Sequence, residues 1–524
     1  MKNDSSQKHF GLNSIRQSLK YFLFGKASNA ILSTTILFSL AALMEQTEYA
    51  AFVSWQALIM LIGMISTLGI QAVMHRFLPE LRTEGNPLVY KLLTSGVSLR
   101  FLLAILIMVI LIFNLPYLVS LLNIPNEDEL LAIFLLIGAL RLTGLSLSQA
   151  CDALLWQRLT QSGLVATNVF RVAAIFIVHY TVGITLTNIV LIEFCAEALL
   201  LCALIYGARK KWIFDSAQEP QTTMETATAE SSVAQAPWWP QNRKRVVRYG
   251  ATKYLVSLSR VLCGSAPNRL LAAQFSSNRE IAIFGFADSI MRLGMRFMPA
   301  ILMIGFIRPV FISRFTTGSG FSSLVKMSNL IFRINLALLV ILMVGVLVLG
   351  EPVFNLLTND KYGHAYLLVC GFLLVLVFEG LRQILELLIE VTELNKISIY
   401  SNLVQSASLV IAVPLFYFIG LWSIVVANII GALLACTVCF VQLNRHNFKV
   451  FFEGRLVALV LIEGLLVWAI GHFSLQWFDS IIITILFIGT ATLLLGFLFP
   501  PLEKAELQQL RSLISAKKAK ASGT

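Results

Sequence analysis

Fourteen long apolar runs, separated by short polar connections, set the pattern of this chain. Six lie at roughly 21–43, 49–74, 93–115, 129–150, 161–181 and 184–207. Six more lie at roughly 249–274, 281–307, 328–350, 363–390, 397–418 and 421–442, and a last pair at roughly 456–474 and 479–499. The runs match the about 20 residues that a helix needs to cross a bilayer, and they lack the period-two alternation of barrel strands. The pattern predicts an all-α polytopic membrane protein of about fourteen transmembrane helices. The first run is too long for a signal peptide and lacks a clear small-x-small cleavage site, so it reads as a retained span. Before it, Leu12, Ile15, Leu19 and Phe22 recur at helical spacing. Residues 1–20 are thus either an amphipathic segment on the membrane surface or a continuation of the first helix. Residues 502–514, with Leu507, Leu510, Leu513 and Ile514, have surface-helix character within a basic tail at 500–524.

The composition points the same way. Of 524 residues, 57% are hydrophobic and 13% charged, against about 25% charged in soluble domains. This excludes an ordinary soluble enzyme, a disordered scaffold and a secreted disulfide protein. The seven cysteines are scattered through apolar segments and form no disulfide framework. The net charge of +12 is topological. With a cytoplasmic N-terminus, the alternating connections and the two tails place 28 Lys and Arg inside against two outside, Arg279 and Lys361. Both termini are then cytoplasmic. The basic clusters can reach anionic lipid heads, and no nucleic-acid partner is needed to explain them.

The chain divides into two six-helix lobes, 21–207 and 249–442, with an extra helix pair at 456–499. Between the lobes lies a basic-flanked cytoplasmic linker, 208–248, whose centre at 212–242 is polar and rich in Thr, Ala, Ser, Gln and Pro. The halves echo each other. Glu48-Tyr-Ala-Ala-Phe52 returns as Glu280-Ile-Ala-Ile-Phe284, and the Gln149/Asn168 spacing returns in Gln383/Asn402. The two offsets are nearly equal, which suggests a duplicated unit. An even number of spans per unit makes the repeats parallel, with a pseudo-two-fold axis along the membrane normal.

Chemistry is concentrated in charges within the spans. Ten basic residues fall there: Lys26, Arg100, Arg141, Arg171, Lys253, Arg260, Arg269, Arg292, Arg296 and Arg382. Seven acidic residues accompany them: Glu193, Glu197, Asp288, Glu379, Glu386, Glu390 and Glu463. Each charge at mid-bilayer costs about 2.5–3.5 kcal/mol on the insertion scale. Lys26, Lys253 and Arg100 are near enough to the cytoplasmic edge to snorkel. Arg269 reads as interfacial, and Arg382 pairs with Glu386 at i+4. Arg141, Arg171, Arg260, Arg292 and Arg296 remain. Asp288, Arg292 and Arg296 share one helix face, and Glu193 with Glu197 can neutralise Arg171 or Arg141. The residual positive surplus suits a water-filled cationic cavity visited by an anion, and guanidinium forks suit phosphate. The competing reading is a set of structural ion pairs between helices. Cys436-x-x-Cys439 lies in an apolar span and reads as packing. The histidines have no ligand spacing, there is no phosphate-binding glycine loop, and no nucleophile triad can be nominated. No metal, cofactor or enzymatic activity is therefore expected.

The first two spans carry a resemblance: Phe24-Gly-Lys26, Glu48-Tyr-Ala-Ala-Phe52, Thr67-Leu-Gly-Ile70 and Arg76-Phe-Leu-Pro-Glu-Leu81. With the fourteen-span plan, the chain resembles the polysaccharide (Wzx-type) flippases of the multidrug/oligosaccharidyl-lipid/polysaccharide (MOP) exporter superfamily. The resemblance implies a flippase that moves undecaprenyl-diphosphate-linked oligosaccharide across the bacterial inner membrane for surface or exported polysaccharide. It implies two lobes around a cavity of alternating access, a coupling ion (proton or sodium), and a lipid-facing groove beside the last two spans. On this reading Arg260, Arg292 and Arg296, helped by Arg141, Arg171 and Lys26, bind the diphosphate. Glu193, Glu197, Asp288 or Glu379 sense the ion, and contact with polysaccharide assembly proteins is possible in principle. The first span has no carboxylate, unlike the proton-coupled drug exporters, and the 212–242 linker is longer than the family pattern. The rival functions are an ion-coupled multidrug or cation antiporter and a membrane-embedded glycan polymerase or ligase.

Overall fold

The structure is a computed structural model that describes residues 12–83, 88–122, 128–218, 238–261, 264–298, 321–392, 394–451, 454–478 and 480–498. Among the described residues there are seventeen helices and no strands. The first compact unit, Met1–Ala282, contains α1 (Leu12–Leu43), α2 (Gln46–Ile65), α3 (Ile70–Thr83), α4 (Leu88–Phe113), α5 (Leu115–Leu122), α6 (Asp128–Ala153), α7 (Gln157–Thr181), α8 (Leu186–Gln218), α9 (Trp238–Ser259) and α10 (Ser265–Phe275). The second, Ile283–Thr524, contains most of α11 (Asn278–Phe297), then α12 (Phe321–Thr358), α13 (Ala365–Val391), α14 (Asn395–Ile419), α15 (Trp422–Arg445), α16 (Gly454–Phe478) and α17 (Ile481–Leu498).

Eleven described helices are long and apolar enough to cross a membrane, and α17 carries a shorter apolar stretch, Ile481–Gly496. The all-α polytopic class is thus what the apolar runs predict. Each of the fourteen runs contains a helix, and α3, α5 and α10 are additional. α3 arises because α2 stops at Ile65 and Leu68 and Gly69 adopt positive φ, 42° and 75°. α10 arises because α9 stops at Ser259; the Arg260 amide donates to the Ser257 carbonyl at 3.1 Å before the chain restarts at Ser265. α5 folds within a connection expected outside the membrane. Helix enters the expected linker from both sides, through α8 to Gln218 and from Trp238 in α9. The linker's centre at 219–237, the first eleven residues, and the tail with its 502–514 stripe lie outside the described residues. The backbone from Leu12 is continuous with α1.

In the first unit α2 is the buried pillar. Phe52 and Trp55 meet Phe134 of α6 with ring centroids 5.9 and 5.5 Å apart. A Cβ on Gly63 would stand 2.7 Å from Leu142 Cδ2, so a glycine there lets α2 and α6 approach closely. Leu186 N–H donates to Glu48 Oε1 at 3.1 Å, which places the turns after α1 and α7 at one end. α3 is held at the other end. Phe77 packs edge-on to Trp238 and Tyr249 of α9, Arg245 donates to both oxygens of Glu80 at 2.8 and 3.2 Å, and Arg82 donates to the Leu154 carbonyl at the α6–α7 turn. In the second unit α14 and α15 pack tightly across Gly431, whose Cβ would meet Ser408 Oγ at 2.3 Å. α12 takes Gly464 of α16 against Val340.

Three arginines are buried within the packing. Arg333 lies inside α12, which begins at Phe321, and is buried. Arg269 is buried in α10, packed within the protein. Arg100 does not snorkel: it is 1% exposed and donates to the Gly63 carbonyl at 2.5 Å.

Candidate functional site

The first unit gathers four of the expected charges at one depth. α8 turns Glu193 and Glu197, at i and i+4, onto one face toward α7. Arg171 of α7 reaches both with a single nitrogen, Nη2, at 3.1 and 2.7 Å. Its Nη1 donates to Asn168 Oδ1 at 3.0 Å, and the Asn168 amide donates to Asn29 Oδ1 of α1 at 3.0 Å. Arg141 of α6 approaches Glu197 at 3.6 Å with its Nε. Four helices are thereby tied through one network of two cations and two anions. The side chains differ in access: Arg141 is 34% exposed, Arg171 12%, Glu193 9% and Glu197 5%. Arg171 is thus neutralised by carboxylates, whereas Arg141 keeps an open face. Among the described residues Arg171 Nε has no protein partner although it is buried.

Lys26 is exposed on α1, with its ammonium 5.4 Å from the Phe22 ring centre. It does not join the network directly. Arg260 sits half-buried where α9 ends.

The second unit holds a parallel arrangement. Arg382 of α13 pairs with Glu379 at i−3 and Glu386 at i+4, and its Nη1 donates to Asn402 Oδ1 of α14 at 3.2 Å. Gln405 and Gln383 donate to the Glu379 carboxylate at 3.4 and 3.5 Å. The sequence echo of Asn168 in Asn402 thus has a structural counterpart: in each unit an asparagine accepts from a buried arginine flanked by two glutamates. Asp288 of α11 is fully buried and pairs with Arg292 at 3.2 Å; Arg292 also donates to Ser289 Oγ at 3.0 Å. Arg296 is exposed in the last turn of α11.

Asn29 and Gln405 were not singled out by the sequence. Their signal was an uncharged amide inside an apolar span, which is common enough to pass unnoticed until the partner is seen. Among the described residues no group of three or more His, Cys, Asp or Glu could hold a metal ion. At one side of the second unit, α16 and α17 form an apolar groove of about 560 Å³, lined by Ile470, Phe473, Trp477, Phe478 and Phe487 among others.

A multi-pass helical membrane protein with charges buried among its helices is the class that this fold defines. No protein-family profile matches the sequence, and no curated protein matches it. Solved structures do match in fold. "Lipid II flippase MurJ, inward closed conformation" superposes with a TM-score of 0.66 at 13% identity, covering 91% of this chain and 98% of that one. An inward-facing multidrug resistance MATE transporter of the MOP superfamily matches with a TM-score of 0.57 at 15% identity, covering 82% and 94%. A MATE structure in a bent conformation matches with 0.53 at 13% identity, covering 88% and 98%. The chain therefore has the fold of MOP-superfamily transporters.

Proposed function

We propose that the protein is a flippase that carries undecaprenyl-diphosphate-linked oligosaccharide across the bacterial inner membrane, for surface or exported polysaccharide, by alternating access. The observation that carries this reading is the density of arginine inside the spans of a transporter fold. An apolar interior accepts such a burden where an anion and water visit it. Arg260, Arg292 and Arg296 hold the diphosphate, helped by Arg141, whose guanidinium keeps an open face, and by Lys26 nearer the cytoplasmic edge. Arg171, bound to Glu193 and Glu197, orients those carboxylates more than it meets phosphate. Glu193, Glu197, Asp288 and Glu379 are the groups that exchange the coupling ion, proton or sodium, each having an arginine partner that its neutralisation would release. The apolar groove between α16 and α17 takes a stretch of the polyprenyl chain. The chemistry is carriage rather than bond-making, and contact with polysaccharide assembly proteins follows from the pathway.

The test is reconstitution. Proteoliposomes containing the purified chain should move a diphosphate-linked oligosaccharide lipid between leaflets, and Arg260→Ala and Arg292→Ala should each abolish movement while the protein stays folded in the bilayer. In cells, deletion should cause the lipid-linked intermediate to accumulate. Full export by both mutants would remove these residues from the mechanism. A drug antiporter would instead raise drug resistance when overexpressed.

A further inference from the structure

α2 ends at Ile65, partway along the apolar run 49–74, and its last carbonyls need partners there. An uninterrupted helix would satisfy them with the amides of residues 66–69. Only the first of these bonds is present: Ser66 N–H donates to the Ile62 carbonyl at 2.9 Å, joined by Ser66 Oγ at 2.6 Å. The other three carbonyls accept from side chains. Gly63 accepts from Arg100 of α4 at 2.5 Å, Met64 from Thr67 Oγ1 at 2.6 Å, and Ile65 from the Tyr254 hydroxyl of α9 at 3.0 Å. Among the described residues, the amides of Thr67, Leu68 and Gly69 donate to no protein group. The exchange is one for one: three backbone bonds of a straight helix are replaced by three side-chain bonds of a broken one.

Such an exchange makes the two forms comparable in energy. The broken form places Leu68 in the left-handed region, which disfavours any side chain. It also buries a guanidinium with one carbonyl partner; Arg100 Nε and Nη1 have none among the described residues. In return, the cation lies at a helix C-terminus, where the macrodipole favours it. Gly69 completes the fit. With φ at 75° it lies against α9 so closely that a Cβ would stand 2.2 Å from the Gly250 carbonyl oxygen. Gly250 and Tyr254 are four residues apart, so one face of α9 supplies both the contact and the bond. α9 ends at Ser259, five residues after Tyr254, and Arg260 is the next residue.

We propose that the α2–α3 joint is a two-state element, broken when α9 is docked and straight when α9 withdraws, with Tyr254 and Arg100 as the positioning residues that hold the broken form. The proposal rests on the alternating-access reading for its purpose: it links the position of the helix that presents Arg260 to the shape of the unit's central pillar.

Spin labels at exposed Thr47 and Arg76, in a cysteine-replaced chain that inserts and unfolds like the parent, read the joint directly. In a straight helix these sites are about 44 Å apart at 1.5 Å per residue, and a break shortens the distance. Tyr254→Phe should raise the straight-to-broken ratio about fivefold, which is what a net ~1 kcal/mol hydrogen bond amounts to at 1.4 kcal/mol per decade. Gly69→Ala should act in the same direction through the Gly250 contact. A merely structural role would broaden the short distance without creating a population near 44 Å. Unchanged distributions in both variants, or broadening alone, would overturn the proposal. If the long population grows but the protein moves no lipid-linked oligosaccharide, the joint stands and the flippase reading falls.

Discussion

Replacing Arg171 by Met puts the buried network of the first unit to the most direct trial. The change removes the nitrogen that Glu193 and Glu197 share and the donor to Asn168 Oδ1. Met fills most of the same volume, so little of the effect comes from a cavity. Two glutamates, each less than a tenth exposed, then face each other across one helical turn. Arg141 alone remains, 3.6 Å from Glu197 and one-third exposed, too far and too wet to neutralise both. Breaking a buried pair by deleting one partner costs about 3–5 kcal/mol, because the remaining charge stays uncompensated. For a chain of 524 residues that amounts to a fall in melting temperature of roughly 3–5 °C. The assay is thermal unfolding of the purified protein in one detergent, compared with the triple variant Arg171→Met, Glu193→Gln, Glu197→Gln. The triple variant removes all the charges that Arg171 served and should recover most of the lost stability. A single variant within 1 °C of the parent, or a triple variant no better than the single, would refute the account of Arg171 as the neutralising centre.

Arg382→Met should behave likewise in the second unit, since Glu379 and Glu386 lose their shared partner; relief by Glu379→Gln, Glu386→Gln in the same chain is the check. Arg100→Met should leave thermal stability within about 1 kcal/mol or raise it, because a buried guanidinium with one carbonyl partner is costly to desolvate, yet it should impair transport by freeing the joint. A large loss of stability would show that Arg100 is a structural keystone instead. Gly431→Ala should destabilise the second unit by about 1–3 kcal/mol through the clash with Ser408, as read by unfolding temperature and membrane yield. Arg141→Gln should leave folding nearly intact while lowering transport, because its ion pair is long and partly hydrated; unchanged transport would remove Arg141 from the substrate path.

Much of the fold was legible in the chain itself. The all-α membrane class follows from run length, because a bilayer admits only helices of a certain apolar length, and eleven of the fourteen predicted spans are long and apolar enough among the described residues. The i, i+4 spacing of Glu193 and Glu197, of Asp288 and Arg292, and of Arg382 and Glu386 follows from helix geometry alone, and each acts on the face that spacing predicts. The repeat of Asn168 in Asn402 was also visible, although not what each amide would hold. Partner choice was a tertiary matter. Arg171 could have met lipid phosphate, water or an acid, and only the packing of α7 on α8 and α1 settled it. Arg100 was misread because a span's apolar face gives no direction: lipid tails and neighbouring helices are equally apolar, so periodicity does not tell inside from outside. The breaks after α2 and α9 were hidden for a related reason. An apolar run shows how far a chain can stay in the membrane, but where its helix stops depends on which side chains, here Arg100 and Tyr254 at the end of α2, arrive from elsewhere to receive the freed carbonyls.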